Sequence, residues 1–171
     1  INNISIVVPS DNFETKEAIK EAVNYKSPLF IRFGKKPMLK IHNDDDNFKI
    51  GKGVKIREGS DVMFVTTGET AQRALLASEI LHKKNISCSI INMHTIKPID
   101  EEIIIRFTKN MMLIVTIEEH NTIGGLGSAV SEVLSKVKNT PQQLTLGVKN
   151  EYSKSGSYNF LKNYNRLVPD K

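Results

Sequence analysis

Two carboxylates, an imidazole and a glycine-rich turn follow one another in the second half of the chain. An apolar run over residues 114–117 ends in Glu118, Glu119 and His120, and a glycine cluster occupies residues 124–127. Carboxylates and imidazoles can serve as acid–base groups or metal ligands, and free N–H groups after a glycine turn can bind an anion. The alternative is a hydrogen-bonded turn that fixes the start of a helix. The spacing matches no P-loop, dinucleotide-binding turn or helical zinc site, so both interpretations stay open.

Arg32 is the second candidate, because it lies between Ile31 and Phe33 in an apolar, strand-like run. A buried guanidinium requires an anionic partner, since an unpaired buried charge is costly. Arg32 could therefore grip a phosphate or carboxylate group, or pair with a surface acid at a sheet edge. Asp11 and Glu14, three positions apart, have the spacing of a helix-capping box and are not interpreted as a catalytic pair.

Composition narrows the class of protein. A hydrophobic share of 39% and a charged share of 25% in 171 residues are typical of a globular chain. The net charge of +5 comes from lysines that are scattered along the chain, and the sequence contains no tryptophan. Both features disfavour a nucleic-acid interface, whereas the positive charge suits acidic or phosphorylated small molecules. The single cysteine excludes an intrachain disulfide and is compatible with a cytoplasmic protein. No run of about 18 apolar residues predicts a membrane span.

The elements that must position these residues alternate between strand and helix. Strand patterns are predicted at residues 4–8, 28–33, 61–65, 88–93, 111–117 and 144–148, with helical patterns near 11–23, 69–84, 100–107, 126–137 and 157–164. Strands that are apolar without alternation, separated by helices, predict a three-layer αβα fold with a mostly parallel open sheet.

Two features of this pattern bear on the candidate site. In a parallel sheet the strand ends near Thr67, His94 and His120 should meet at one edge. The first strand-like run has no apolar partner upstream, which predicts that the chain is the downstream part of a longer protein. Between residues 34 and 58 glycines and charges dilute the apolar residues, which indicates a connector with a short hairpin over residues 48–56.

An ordered set of short motifs resembles the C-terminal section of transketolases and transketolase-like enzymes. Each motif alone is common, but together they span nearly the whole chain in a consistent order. The motifs are Pro9-Ser-Asp-x-x-Glu14, Pro28-Leu-Phe-Ile-Arg32, Asp61-Val-x-x-Val-x-x-Gly68, Ile96-Lys97-Pro98-Ile99-Asp100, Glu118-Glu119-His120-x-x-x-Gly124-Gly125-Leu126-Gly127-Ser128, Gly147-Val148 and Ser155-Gly156.

The resemblance implies a thiamine diphosphate enzyme of three α/β modules that transfers a two-carbon ketol unit between sugar phosphates. Residues 1–40 are similar to the end of the pyrimidine-binding module, a β-α-β remnant. Residues 41–58 would form a linker, and residues 59–171 the C-terminal domain. The Gly-Asp-Gly diphosphate motif is absent, and the activating glutamate would lie upstream. This portion alone is therefore expected to be inactive and to bind neither thiamine diphosphate nor Mg²⁺.

The resemblance also implies roles for the candidate residues. Arg32 matches the arginine that helps to hold the sugar phosphate, whereas no residue matches a catalytic or metal-binding position. The resemblance implies that this chain supports a homodimer. It also implies upstream modules, on the same or a separate chain. A loop at a domain or dimer interface is expected from Glu118, Glu119, His120, Gly124 and Gly125.

Three alternatives stay open. Two are related thiamine enzymes: a 1-deoxyxylulose-phosphate synthase and the beta subunit of a 2-oxo acid dehydrogenase. The third is a non-catalytic α/β assembly module.

Overall fold

The computed structural model describes residues 1–34, 38–43 and 46–169. Strands and helices alternate through most of these residues, as the hydrophobic spacing predicts. In chain order they are β1 (Ser5–Val7), α1 (Asn12–Ala22), β2 (Leu29–Ile31), β3 (Val54–Arg57), β4 (Val62–Thr66), α2 (Thr70–His82), β5 (Cys88–Asn92), β6 (Thr95–Lys97), α3 (Glu101–Thr108), β7 (Leu113–Asn121), α4 (Leu126–Leu134), β8 (Gln142–Val148) and α5 (Tyr158–Tyr164).

The larger sheet has the strand order β3-β5-β4-β7-β8. Strands β5, β4, β7 and β8 are parallel, and only β3 at one edge runs antiparallel to its neighbour β5. Along β4 the side chains alternate between two cores. Met63 and Val65 pack with α3 and α4, whereas Phe64 packs with Ala74 of α2. The sheet is therefore covered by helices on both faces, which confirms the αβα prediction.

The smaller sheet has the order β2-β1-β6. Strands β1 and β2 are parallel and are connected by α1, which confirms the β-α-β unit. Strand β6 runs antiparallel to β1. Asp11 caps α1 as expected, because its Oδ1 accepts a hydrogen bond of 2.9 Å from the Glu14 N–H. Asp100 caps α3 in the same way, accepting from Ile103 N–H at 3.3 Å.

The connector differs from its prediction. Residues 48–56 form no hairpin, because the one strand of this stretch, β3, pairs with the distant strand β5. The backbone of β5 has unpaired groups on that side, and β3 satisfies them. This strand lies inside the predicted 41–58 linker, and the boundaries at residues 40 and 58 stay predictions.

Backbone hydrogen bonds join the two sheets where their strands end. Val8 N–H donates to the His94 carbonyl at 2.7 Å, and Gly68 N–H donates to the Val8 carbonyl at 3.2 Å. Arg32 N–H donates to the Val7 carbonyl at 2.9 Å, directly after β2. Arg32, which is bonded within the smaller sheet, thus lies next to the junction of the two sheets. Within the described ranges no helix is long and apolar enough to cross a membrane.

Candidate functional site

Arg32 bridges the two sheets through its side chain. It lies one residue beyond β2, and its Nη2 donates to the backbone carbonyl of Glu119 at 2.9 Å. Among the residues that the structure describes, no carboxylate forms an ion pair with this guanidinium. Its remaining N–H groups are therefore available to an anionic ligand. The surface ion pair that was the alternative prediction for Arg32 is not observed among the described residues.

The side chain of Glu119 is held from the opposite side. Its carboxylate accepts hydrogen bonds from the guanidinium of Arg73 on α2 and from the hydroxyl of Tyr158 on α5, the latter at 2.8 Å. The same hydroxyl contacts Glu69, and burial together with the two carboxylates raises the pKa of the Tyr158 phenol. The side chain of Glu119 is thus held by Arg73 and Tyr158, while its backbone carbonyl is the hydrogen-bond partner of Arg32.

Glu118 faces away from solvent and caps α4. It is fully buried, and its two carboxylate oxygens accept from the N–H groups of Leu126 at 2.8 Å and Gly127 at 2.9 Å. Burial raises the pKa of this carboxyl, while the two N–H groups and the charge of His120 oppose that rise. A Cβ on Gly125 would collide with the Glu118 carboxylate, which explains the glycine there. The hydrogen-bonded turn therefore describes this motif better than an open anion site does.

Strand β7 continues further than expected, through residues 118–120. The structure places Glu118, Glu119 and His120 on the carboxyl end of β7 and not in a loop. His120 is exposed, and its Nδ1 donates to the Asn121 carbonyl at 3.2 Å. The turn follows, where Gly124 adopts a φ of +74° and donates its N–H to the Ser128 hydroxyl at 2.9 Å. The interface role of these residues stays a prediction.

A buried polar network at the base of α1 is absent from the sequence predictions. His42 donates its backbone N–H to the Asp11 carboxylate at 2.8 Å, and its Nδ1 lies 3.1 Å from the same oxygen. Glu14 accepts from Asn92 of β5 at 2.7 Å and from the Ser10 hydroxyl at 2.8 Å. Burial would raise the pKa of Asp11, but the hydrogen bonds from His42 and the backbone outweigh it and hold that pKa below its usual range. The network joins the connector to α1 and to β5.

His94, at the end of β5, is enclosed by protein. It is fully buried, stacks on Phe48 with ring centroids 4.3 Å apart, and contacts the Thr95 hydroxyl at 3.0 Å. Burial, with a smaller contribution from His42, lowers its pKa to about 3. Across residues 1–34, 38–43 and 46–169, no group of three or more His, Cys, Asp and Glu side chains could hold a metal ion. His94 is therefore a neutral packing residue.

This burial predicts a pH dependence of stability. The unfolded chain protonates His94 near the ordinary pKa of 6.5, whereas the folded chain does so only near 3, so the unfolded state binds more protons between these values. The contribution of His94 to stability therefore falls as the pH decreases through this window, by up to about 1.4 kcal/mol per pH unit. Urea unfolding of wild type and His94→Gln at pH 5 to 7 measures the difference. An equal slope in both proteins would show that His94 is not the group responsible.

Comparison with known proteins identifies relatives over the same region. The family model for the transketolase C-terminal domain matches residues 51–170. The chain is 37% identical over 166 residues to a putative transketolase C-terminal section from Methanocaldococcus jannaschii, covering 96% of this chain and 52% of that protein. It is 34% identical over 163 residues to the 6-deoxy-6-sulfo-D-fructose transketolase subunit SqwH of a Clostridium species, covering 95% of this chain and 50% of that protein.

A solved structure agrees with these sequence relatives. A split-gene transketolase, solved as an inactive beta4 tetramer, matches with a TM-score of 0.93 and 32% identity, covering 98% of this chain and 55% of that chain. The present chain spans about half the length of the curated relatives it matches. The family model, the ordered motifs and the shared arrangement of both sheets lead to one conclusion: the chain belongs to the transketolase C-terminal domain family.

Proposed function

We propose that this chain is the C-terminal portion of a thiamine diphosphate-dependent, transketolase-like enzyme that transfers a two-carbon ketol unit between sugar phosphates. The observation that carries the proposal is Arg32, whose guanidinium lies at the junction of the sheets with one carbonyl partner and no carboxylate partner among the described residues. Arg32 is suited to bind the anionic end of a sugar phosphate. The relatives that support the proposal are transketolase subunits and sections.

The described residues do not fit the cofactor itself. The glycine turn could have held a diphosphate, but the N–H groups of Leu126 and Gly127 already donate to Glu118, and that of Gly124 donates to Ser128. The part of the chain that the structure describes also contains no cluster of metal-ligating side chains. We therefore assign thiamine diphosphate and Mg²⁺ to the upstream modules.

The chain's own contribution is binding and support. Arg32 orients the substrate by its charged end, and Glu119 fixes the direction of the guanidinium through a carbonyl hydrogen bond. Exposed residues at the end of β7 and in the turn after it, among them His120 and Ile123, are proposed to contact an upstream module or a second copy in a cytoplasmic homodimer. Ile123 is 67% exposed, so a partner surface would remove a large apolar side chain from water.

An activity assay of the complete protein, with its upstream modules on the same or a separate chain, tests this proposal. With thiamine diphosphate and Mg²⁺ supplied, we expect transfer of a ketol unit from a ketose phosphate to an aldose phosphate. Condensation of pyruvate with glyceraldehyde 3-phosphate in its place would identify a 1-deoxyxylulose-phosphate synthase. Oxidative decarboxylation of a 2-oxo acid would identify a dehydrogenase subunit. Absence of all three reactions would favour the assembly module.

A further inference from the structure

We propose that Lys162 on α5 is a second binding residue for the anionic end of the substrate, acting together with Arg32. This inference rests on the proposed function, since it adds a residue to the same substrate subsite. The site is a cavity of about 190 Å³ between the end of β2, the end of β7 and α5. Arg32, Glu119, Ser153, Tyr158 and Lys162 are among its lining residues.

The two cations that line this cavity keep most of their charge for a ligand, although that of Arg32 also acts on the buried Glu118 carboxylate. Arg32 has the Glu119 carbonyl as its hydrogen-bond partner, and Lys162 lies with its ammonium 4.7 Å from the centroid of the Tyr158 ring. In the described parts of the chain neither forms an ion pair. Two cations beside one cavity, neither of them held in an ion pair by the described residues, favour an anionic ligand.

The carboxylates nearby are already paired. Glu119 and Glu69 both contact the guanidinium of Arg73, and both also contact the Tyr158 hydroxyl. Arg32, Arg73 and Lys162 thus supply three positive charges against the two negative charges of Glu69 and Glu119. These five side chains therefore carry one excess positive charge, which attracts an anion.

The same contacts hold α5 in place over the cavity. Tyr158, the first residue of α5, is joined to β7 through Glu119 and to α2 through Arg73, and these side chains are mostly buried. Lys162 lies one helical turn after Tyr158, so it faces the same side as the anchored phenol. Leu161 and Leu167 line the cavity with it, and their apolar surface strengthens the attraction between a cation and an anion.

The geometry defines the chemical class of ligand. A space of about 190 Å³ has room for a tetrahedral anion. A planar fork from Arg32 and a point charge from Lys162 suit the phosphate at the end of a sugar. An unphosphorylated sugar offers neither charge and gains nothing from Lys162.

Substitution of Lys162 in the complete enzyme tests the inference, with inorganic phosphate as the probe for binding. We expect Lys162→Gln to weaken calorimetric binding of phosphate about tenfold, and to raise KM for phosphorylated sugars by a similar factor, as expected for the loss of one charge-assisted contact. KM for unphosphorylated sugars and kcat should stay unchanged, and Lys162→Arg should restore binding. The matched control is Lys154→Gln, because Lys154 lies over the Tyr164 ring outside the cavity.

The other outcomes separate this inference from the proposed function. If Lys162→Gln behaves like Lys154→Gln while Arg32→Gln still raises KM for phosphorylated sugars, the inference is wrong and the proposed function stands. If both substitutions are silent, both fail. Equal effects on both classes of sugar would show that Lys162 acts through folding of α5 and overturn the inference. Weaker phosphate binding with unchanged KM values would assign the cavity to a free anion and also overturn it.

Discussion

Replacing Arg32 by alanine in the complete enzyme is expected to raise KM for phosphorylated sugars by about 10- to 100-fold, the range of one lost charge-assisted, two-pronged contact. The physical reason is that the guanidinium meets a carbonyl of Glu119 and keeps its other N–H groups for a ligand. Removing the side chain leaves the substrate's charged end without its planar partner. The effect on unphosphorylated sugars should be small, because they lack that charge. Steady-state kinetics with both classes of donor measures the ratio.

Two further variants sharpen this experiment. Arg32→Lys keeps the charge but loses the planar fork, so it should recover only part of the affinity. Arg106→Ala is the matched control, because Arg106 lies on α3 over the Phe107 ring, away from the junction of the sheets. An equal rise in KM for both classes of sugar in Arg32→Ala would contradict a role in phosphate binding.

Of the substitutions proposed for this chain, Glu118→Ala should lower the free energy of unfolding most. The substitution removes the cap of α4 and leaves the buried N–H groups of Leu126 and Gly127 without acceptors. The expected destabilisation is about 3 kcal/mol, combining a lost cap with two unsatisfied donors. The midpoint of thermal unfolding reports the global effect, and amide exchange at Leu126 and Gly127 reports the local one.

The control for this substitution is Glu132→Ala, at an exposed position on the same helix. It should change the unfolding midpoint little. Glu118→Gln should fall between the two, because an amide keeps one acceptor and turns an NH₂ group toward the helix terminus. If Glu118→Ala unfolds like wild type and amide exchange at α4 is unchanged, the carboxylate does not support the helix.

Local sequence signals located most of the regular structure. Continuous apolar runs predicted β4, β5 and β7, because a strand buried on both faces has no polar side to interrupt the run. The caps Asp11 and Asp100 were also predictable, since the capping side chain bonds an N–H only three residues away. These signals are local, and the structure confirms them.

Features that depend on distant partners could not be predicted in the same way. Strand β3 forms because it pairs with β5, and the sequence of residues 54–57 does not indicate which strand will be its partner. The extension of β7 through His120 arises because pairing with β8 reaches Asn121 opposite Val148. His42 meets Asp11 across 31 positions, and Arg32 meets Glu119 across 87. The candidate residue Arg32 was identified from its apolar flanks and its motif, whereas Arg73, Tyr158 and Lys162 carried no signal that sequence spacing could reveal.

Binding of thiamine diphosphate to the complete protein is the decisive test of a transketolase-like function. The measurement is a calorimetric titration of the cofactor, in the presence of Mg²⁺, into the protein with its upstream modules on the same or a separate chain. We predict saturable, Mg²⁺-dependent binding, because this chain would then be the supporting and substrate-holding part of a cofactor-dependent enzyme. If neither the complete protein nor its complex with a partner chain binds the cofactor, the proposed function is wrong and the chain is an assembly module.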